Sequence, residues 1–367
     1  MSVQVAHSQH PDPYAAADEL RTTLGELKPV LVLFFASSSY GPDGISAAMK
    51  NAFPDSTVIG CSTAGEIISG SMLNNSVVAM AMDADTIQNV HADTISLKSP
   101  DFADDTLSRL AEAAGSAPIS LDPARYVGLI LFDGLSGAEE STMERIGDLT
   151  NIQVIGGSAG DDLAFSATYV YLNGKAYSNT AVFAILEPKK KFDIIKTQSF
   201  CSLGKKLTPT KVDPASRKVM EFNGKPAVVA YAEAIGVSCS DAASHFMKNP
   251  VGLMAGDEPF VRSPQRIEGD AVYFYCQVRE GVDLDVLSST DIIADTKKML
   301  EEKNKATPIE ALINFNCILR TLQLKQEGND AVYGKIFSDI PTIGFSTYGE
   351  EYIGHINQTA TMLAFLK

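Results

Sequence analysis

Two strings nearly the whole chain apart share five of seven letters: GCSTAGE at Gly60 to Glu66 and GFSTYGE at Gly344 to Glu350. A looser third copy, VIGGSAGDD, spans Val154 to Asp162. All three follow a short apolar stretch ending in Ile-Gly, which reads as a strand running into a loop of Gly, Ser, Thr and an acid. Glycine permits positive φ and close backbone approach, while hydroxyls and a carboxylate supply directional polar contacts. The chain must therefore build its fold by internal repetition and bring chemically similar loops to strand ends. The copies are read either as binding loops or as turns punctuating a duplicated β-rich fold.

The segments around these copies alternate. Strands are expected at Val3–Ala6, Val30–Ala36, Thr57–Cys61, Ser76–Asp83, Asn89–Ile95 and Val127–Phe132. Helices are expected after Asp12-Pro13, from Asp43 to about Phe53, at 101–114 and at 137–149, with Asp12 as an N-cap before a first-turn proline. From Phe165 to Leu186 two strand-like runs flank Asn173-Gly174, a strong hairpin signal. Lys189–Lys211 reads as a changeover, Asn223-Gly224 as a second turn, and Pro226 as the start of a helix to Ile235. Ala271–Val278, Ala311–Cys317 and Gln358–Leu366 read as strands, and Asp291–Lys303 as a helix. The expected class is α/β, mixed α+β, a duplicated mixed-sheet architecture in two domains, 1–220 and 221–367, with a cleft between them.

The formal charge of −15 and pI near 4.8 oppose nonspecific attraction to nucleic acid or anionic membrane, which need a positive field. Cys61, Cys201, Cys239, Cys276 and Cys317 are widely and irregularly spaced, against a disulfide framework or a structural zinc site and for a reducing compartment. No stretch approaches the roughly 20 apolar residues of a membrane span, and the N-terminal segment lacks the pattern of a secretory signal. A cytoplasmic location is expected, with no metal.

Ser62, Thr63, Glu66, Ser158, Asp161, Ser346, Thr347 and Glu350 are the candidate ligand-binding residues of the loops. Hydroxyls and free N–H groups suit a carboxylate, and the acids suit an ammonium, so a zwitterion such as an amino acid satisfies both. A phosphate fits poorly, because no Lys follows as in a P-loop. The other reading of the acids is capping of turns or helices. Arg320, in the string FNCILR, is a further candidate as a bidentate carboxylate clamp, against a surface ion pair. GGSAG matches the nucleophile elbow GxSxG and would make Ser158 a hydrolase nucleophile, but that motif needs a helix directly after the serine, and a hairpin follows here. The expected function is therefore not enzymatic, with no catalytic residue.

VIGCSTAGEI, then VIGGSAGDD with the hairpin TYVYLNGKAYSNTAVFAIL, and finally FNCILR with GFSTYGEEYIGHINQTATML, resemble the two halves of the FIST family, a sensory module of bacterial signalling. The resemblance covers about residues 28–360. It implies an intracellular sensor of small molecules such as amino acids that passes its signal to a separate partner, such as a sensor histidine kinase. It also implies a branch that binds haem and senses nitric oxide. Covalent haem is excluded by the lack of CxxCH, and noncovalent haem b would take His355, His245 or Cys317 as axial ligand.

Overall fold

The computed structural model describes residues 2–367. Apolar runs such as Leu31 to Ala36 are buried along their whole length, as strands covered on both faces require. The first such segment organises a repeat: β1 (Val3–Ser8), α1 (Pro13–Leu24), β2 (Leu31–Ser37), α2 (Pro42–Ala52), β3 (Thr57–Thr63), the hairpin β4 (Glu66–Ile68) and β5 (Ser71–Leu73), and β6 (Val77–Met82). The same order recurs as β7 (Ile87–Ser96), α3 (Phe102–Ala113), β8 (Val127–Phe132), α4 (Glu139–Leu149), β9 (Val154–Ser158), the hairpin β10 (Val170–Leu172) and β11 (Lys175–Tyr177), and β12 (Thr180–Pro188).

A third repeat opens with β13 (Phe192–Gln198) and is then interrupted. The interruption contains β14 (Phe200–Leu207), β15 (Pro209–Asp213), β16 (Lys218–Phe222), β17 (Lys225–Pro226), α5 (Ala227–Ile235), β18 (Val251–Ala255), β19 (Glu258–Arg262), β20 (Pro264–Glu268), β21 (Ala271–Phe274) and β22 (Leu284–Ser289). The repeat then resumes with α6 (Ile292–Ala306), β23 (Ile309–Cys317), α7 (Ile318–Gln326), α8 (Asp330–Lys335), β24 (Thr342–Thr347), the hairpin β25 (Glu350–Tyr352) and β26 (His355–Ile356), and β27 (Thr359–Leu366).

Two compact units result. The first comprises the chain up to Lys196, Lys297–His355 and Ala360–Lys367; the second comprises Thr197–Thr296 with Ile356–Thr359. The chain thus leaves the first unit inside the segment expected as a changeover, but as paired strands, not as a linker. A single linear boundary near residue 220 and this division by contact describe the chain differently, because the second unit is spliced into the third repeat.

The first unit holds three six-stranded sheets among the described residues, ordered β1-β6-β2-β3-β10-β11, β7-β12-β8-β9-β25-β26 and β13-β27-β23-β24-β4-β5. Each sheet takes four strands from its own repeat and a hairpin from another. The first repeat lends its hairpin to the third sheet, the third to the second, and the second to the first, which closes a ring. The mixed α/β class is as the sequence implies, and the repetition is threefold. Inner faces of all three sheets meet in one apolar core, with Phe35 4.5 Å from Phe345 and 6.2 Å from Phe315 between ring centres. α1 and α2 cover the outer face of the first sheet, and α3 and α4 that of the second.

Local signals hold where they concern backbone chemistry. Asp12 caps α1 by accepting from Tyr14 N and Ala15 N at 3.1 and 2.9 Å. Asn173-Gly174, with φ of 49° and 87°, turns β10 into β11. α2 differs from expectation: Pro42 occupies its first position, Gly41 precedes it without a side-chain cap, and Asp43 lies inside the first turn. In the second unit, α5 packs on strands including β16 and β21, and Gln358 accepts from Ser263 Oγ and donates to Met247 O, both at 2.8 Å. No helix among the described residues is long and apolar enough to cross a membrane.

Candidate functional site

The Ile-Gly that opens each motif has a packing cause. Ile59, Ile155 and Ile343 point into the central core. The glycine after each lies flat against the carbonyl of a parallel neighbour: a Cβ on Gly60, Gly156 or Gly344 would stand 2.4, 1.7 or 2.1 Å from Phe34 O, Ile130 O or Asn314 O. Parallel strands therefore approach tightly just before the serines, fixing Ser62, Ser158 and Ser346 at the ends of β3, β9 and β24.

The serines then lock to one another's loops in a cycle. Ser62 N donates to Tyr169 O (2.9 Å), Ser158 N to Gly349 O (2.9 Å) and Ser346 N to Gly65 O (2.8 Å). Their carbonyls accept in turn from Gly160 N (3.0 Å), Tyr348 N (3.0 Å) and Ala64 N (3.4 Å). Three motifs far apart in sequence thus meet in the first unit through equivalent backbone bonds, as buried backbone groups require.

The side chains diverge from this symmetry. Ser62 Oγ donates to Gly160 O at 2.8 Å, Ser158 Oγ to Glu139 Oε1 at 3.2 Å, and Ser346 Oγ shares a hydrogen bond with Thr321 Oγ1 at 2.7 Å. Thr63 bonds to Glu66 Oε1, whose other oxygen accepts from Ser76 N (3.2 Å) and Ser76 Oγ (2.5 Å). Burial pushes the Glu66 carboxyl up to about 7, against the pull of the Ser76 and Thr63 hydrogen bonds. Thr347 Oγ1 likewise donates to Glu350 Oε1 at 2.6 Å. In the second repeat Ala159 replaces the threonine and the turn is longer.

That longer loop is held by Asp161. Its carboxylate accepts from Phe165 N (3.0 Å), Ser166 N (2.6 Å), Ala167 N (3.0 Å) and Tyr348 OH (2.5 Å). Burial alone would raise its pKa, but these bonds outweigh it and hold the carboxyl below the usual range. Asp162, Leu163 and Phe165 have φ of 53°, 66° and 49°, a concentration of left-handed non-glycine residues that costs backbone strain. Phe165 stacks on Tyr348 at 5.2 Å yet stays 50% exposed, and Asp162 accepts from Ser38 Oγ at 2.7 Å. Sequence reasoning misses the loop residues Tyr348 and Phe165. The one signal is Tyr348 standing where the first motif has Ala64.

Among the expected site residues, Ser62, Thr63, Glu66, Ser158, Asp161, Arg320, Ser346, Thr347 and Glu350 all lie in the first unit and all are buried. Arg320 is not a surface ion pair: it is 1% exposed, donates from Nε to Asn316 Oδ1 at 3.1 Å, and lies over the Tyr333 ring. No helix follows Ser158; β9 runs into the loop and then β10.

His355 is one half of a buried pair. Its Nδ1 is 2.8 Å from Glu351 Oε1, both side chains are buried, and its Cε1–Nε2 edge rests on Gly349, where a Cβ would meet Cε1 at 2.0 Å. Burial would discharge the ring, but the Glu351 carboxylate, helped by Glu139 and Glu140, more than compensates and lifts its pKa to about 9. Nδ1 is thus taken by Glu351, and Nε2, the nitrogen left to bind an iron, lies against Gly349 inside the fold. Cys317 is buried at the end of β23, and His245 is half-buried in the second unit with Nδ1 3.4 Å from Asn249 Oδ1. No group of three or more His, Cys, Asp or Glu among the described residues has metal-holding geometry.

A ring of three β-strand repeats with buried hydroxyl and carboxylate loops at one centre defines a module whose polar chemistry lies inside its fold. The chain belongs to the FIST family, matching the FIST N domain over residues 30–225 and the FIST C domain over residues 227–352. FIST domains are associated with signal-transduction sensing. An uncharacterized protein of Methanocaldococcus jannaschii is 23% identical over 284 residues, covering 73% of this chain and 55% of the relative, so the chain spans about half that relative's length. Similarity to PurLQS from Thermotoga maritima is slight, with 13% identity over 99% of this chain and 72% of that one and a TM-score of 0.20, and it carries no argument.

Proposed function

We propose that the protein is a non-enzymatic sensor whose small, amino-acid-like ligand is received at the centre where the three motif loops meet, and whose altered state is read by a separate signalling protein such as a histidine kinase. The observation that carries this reading is the cycle of hydrogen bonds joining Ser62, Ser158 and Ser346 to one another's loops. It joins three loops that carry buried hydroxyls and carboxylates, a costly arrangement for a scaffold.

The loop hydroxyls are buried and hydrogen-bonded internally, so ligand entry exchanges these contacts for contacts to the ligand. The 161–168 loop is the element suited to yield, because its backbone is strained and Phe165 and Leu163 stand exposed on it. A ligand ammonium is matched by Glu66 or Glu350, and a ligand carboxylate by the loop hydroxyls and N–H groups. Against hydrolysis, Ser158 Oγ is committed to a carboxylate and is fully buried, with no helix after it to lower a nucleophile's pKa.

Thermal denaturation with a panel of amino acids and phosphate esters tests the reading. A zwitterion at about 100 times its Kd adds roughly 2.7 kcal/mol and raises Tm, whereas phosphate esters leave it unchanged. No shift with any amino acid contradicts the ligand class, and stoichiometric labelling of Ser158 by a fluorophosphonate contradicts the non-enzymatic reading.

A further inference from the structure

The threefold equivalence exposes one sheet face that departs from the other two. Strand registers place Phe34, Ile130 and Asn314 opposite the motif glycines, and Ala36, Phe132 and Asn316 opposite the motif serines. In β23, Ile313 and Phe315 face the central core, so Asn314 and Asn316 face the other way, where Asn316 meets α7. The first two repeats fill this face with apolar side chains; the third fills it with carboxamides.

Asn316 is fully engaged. Its Oδ1 accepts from Arg320 Nε and from Tyr333 OH at 3.0 Å, and its Nδ2 donates to Thr321 Oγ1 at 2.9 Å. Asn314 is 0% exposed, yet neither its Nδ2 nor its Oδ1 has a hydrogen-bond partner among the described residues. Burying an unpaired amide is costly, and an apolar side chain of similar size, as in the first two repeats, avoids that cost. Its place is two residues from Asn316, about 7 Å along the strand from the level of Ser346.

We propose that Asn314 is a specificity subsite for the neutral carboxamide of a small ligand whose polar end lies at the Ser346 level of the same face. This rests on the sensor reading and names its ligand class more narrowly. The unpartnered atoms are one donor and one acceptor side by side, which a primary carboxamide matches with a reciprocal pair of hydrogen bonds. A carboxylate would meet Nδ2 but oppose Oδ1, and an ammonium would do the reverse. Either charge would also be desolvated at a fully buried position.

Isothermal titration of the full chain with L-glutamine and with L-glutamate tests this, since the two differ in that group alone. Wild type is expected to bind glutamine at least tenfold more tightly than glutamate. Asn314→Leu and the smaller, hydroxyl-bearing Asn314→Ser are expected to lose roughly tenfold or more in glutamine affinity, about the loss of one good hydrogen-bonded pair. Asn314→Leu should also unfold at a temperature no lower than wild type. Unchanged glutamine affinity in either variant, equal binding of both amino acids, or no glutamine binding overturns the proposal. If Asn314→Leu is destabilised while wild type ignores glutamine, Asn314 holds a buried water only. Binding of other amino acids without glutamine overturns this subsite and leaves the sensor reading standing.

Discussion

Tyr348 and Asp161 lie 187 positions apart, and the tyrosine hydroxyl donates to the aspartate at 2.5 Å while accepting from Leu163 N at 2.8 Å. One side chain of the third motif thereby closes the strained loop of the second. Tyr348→Phe should leave the strand core intact but cost about 1–3 kcal/mol, since Asp161 loses a charge-assisted partner in a buried site. Hydrogen exchange would then speed up within 161–168 and not in β9. Unchanged exchange there would show that the tyrosine is not the latch.

The same latch responds to acid. The Asp161 pKa is depressed in the fold, so its contribution is present above the ordinary aspartate range and is lost as pH falls through the lower folded value. Limited proteolysis should cut the loop more readily only in strong acid. Asp161→Asn should be cut readily at neutral pH as well, and equal resistance in the two proteins would contradict this.

Glu66 has the opposite sign. Its folded pKa is raised to about 7 by burial, so folding favours the protonated acid; the associated stability is present below the ordinary glutamate range and declines as pH rises towards 7. The decline is on the order of 3 kcal/mol, because each pH unit between the unfolded and folded values is worth about 1.36 kcal/mol. Glu66→Gln should flatten the fall in denaturant midpoint between pH 5 and 8, because the amide has no proton to lose. A slope as steep as wild type would place the titration elsewhere.

His355 and Glu351 form a buried pair resting on Gly349. His355→Ala leaves the Glu351 carboxylate uncompensated and should cost roughly 3–5 kcal/mol, with Gly349→Ala also destabilising because the ring must move. The His355 pKa is raised to about 9, so its contribution is full below the ordinary histidine value and is lost as pH climbs through 9. Chemical denaturation across pH 6–10 checks both. A His355→Ala protein as stable as wild type at pH 7 would contradict the pairing.

What the sequence makes legible is local. The turn at Asn173-Gly174 and the cap at Asp12 depend on a few adjacent residues, and the motif copies are short, closely similar strings whose glycines answer to one packing constraint. The third repeat is harder to recognise, because β13 and α6 are parted by the whole second unit and its strands have the same alternation as their neighbours. The exchange of hairpins is a property of long-range pairing, which no local pattern encodes. In the sequence Glu351 reads as half of an acidic doublet with Glu350. Strand alternation sends the two to opposite faces, Glu350 towards Thr347 and Glu351 to His355. Asn314 stands out as a departure only once the strand registers put Phe34 and Ile130 in the equivalent places.

In the proposed sensor, three loops remote in sequence respond to ligand as one centre, and hydrogen exchange with and without a stabilising amino acid reads all three at once. Ligand should change protection together in 62–66, 158–168 and 346–351 and leave the outer helices α1 and α3 unaffected. Changes confined to one of these loops, or to the second unit alone, would contradict it.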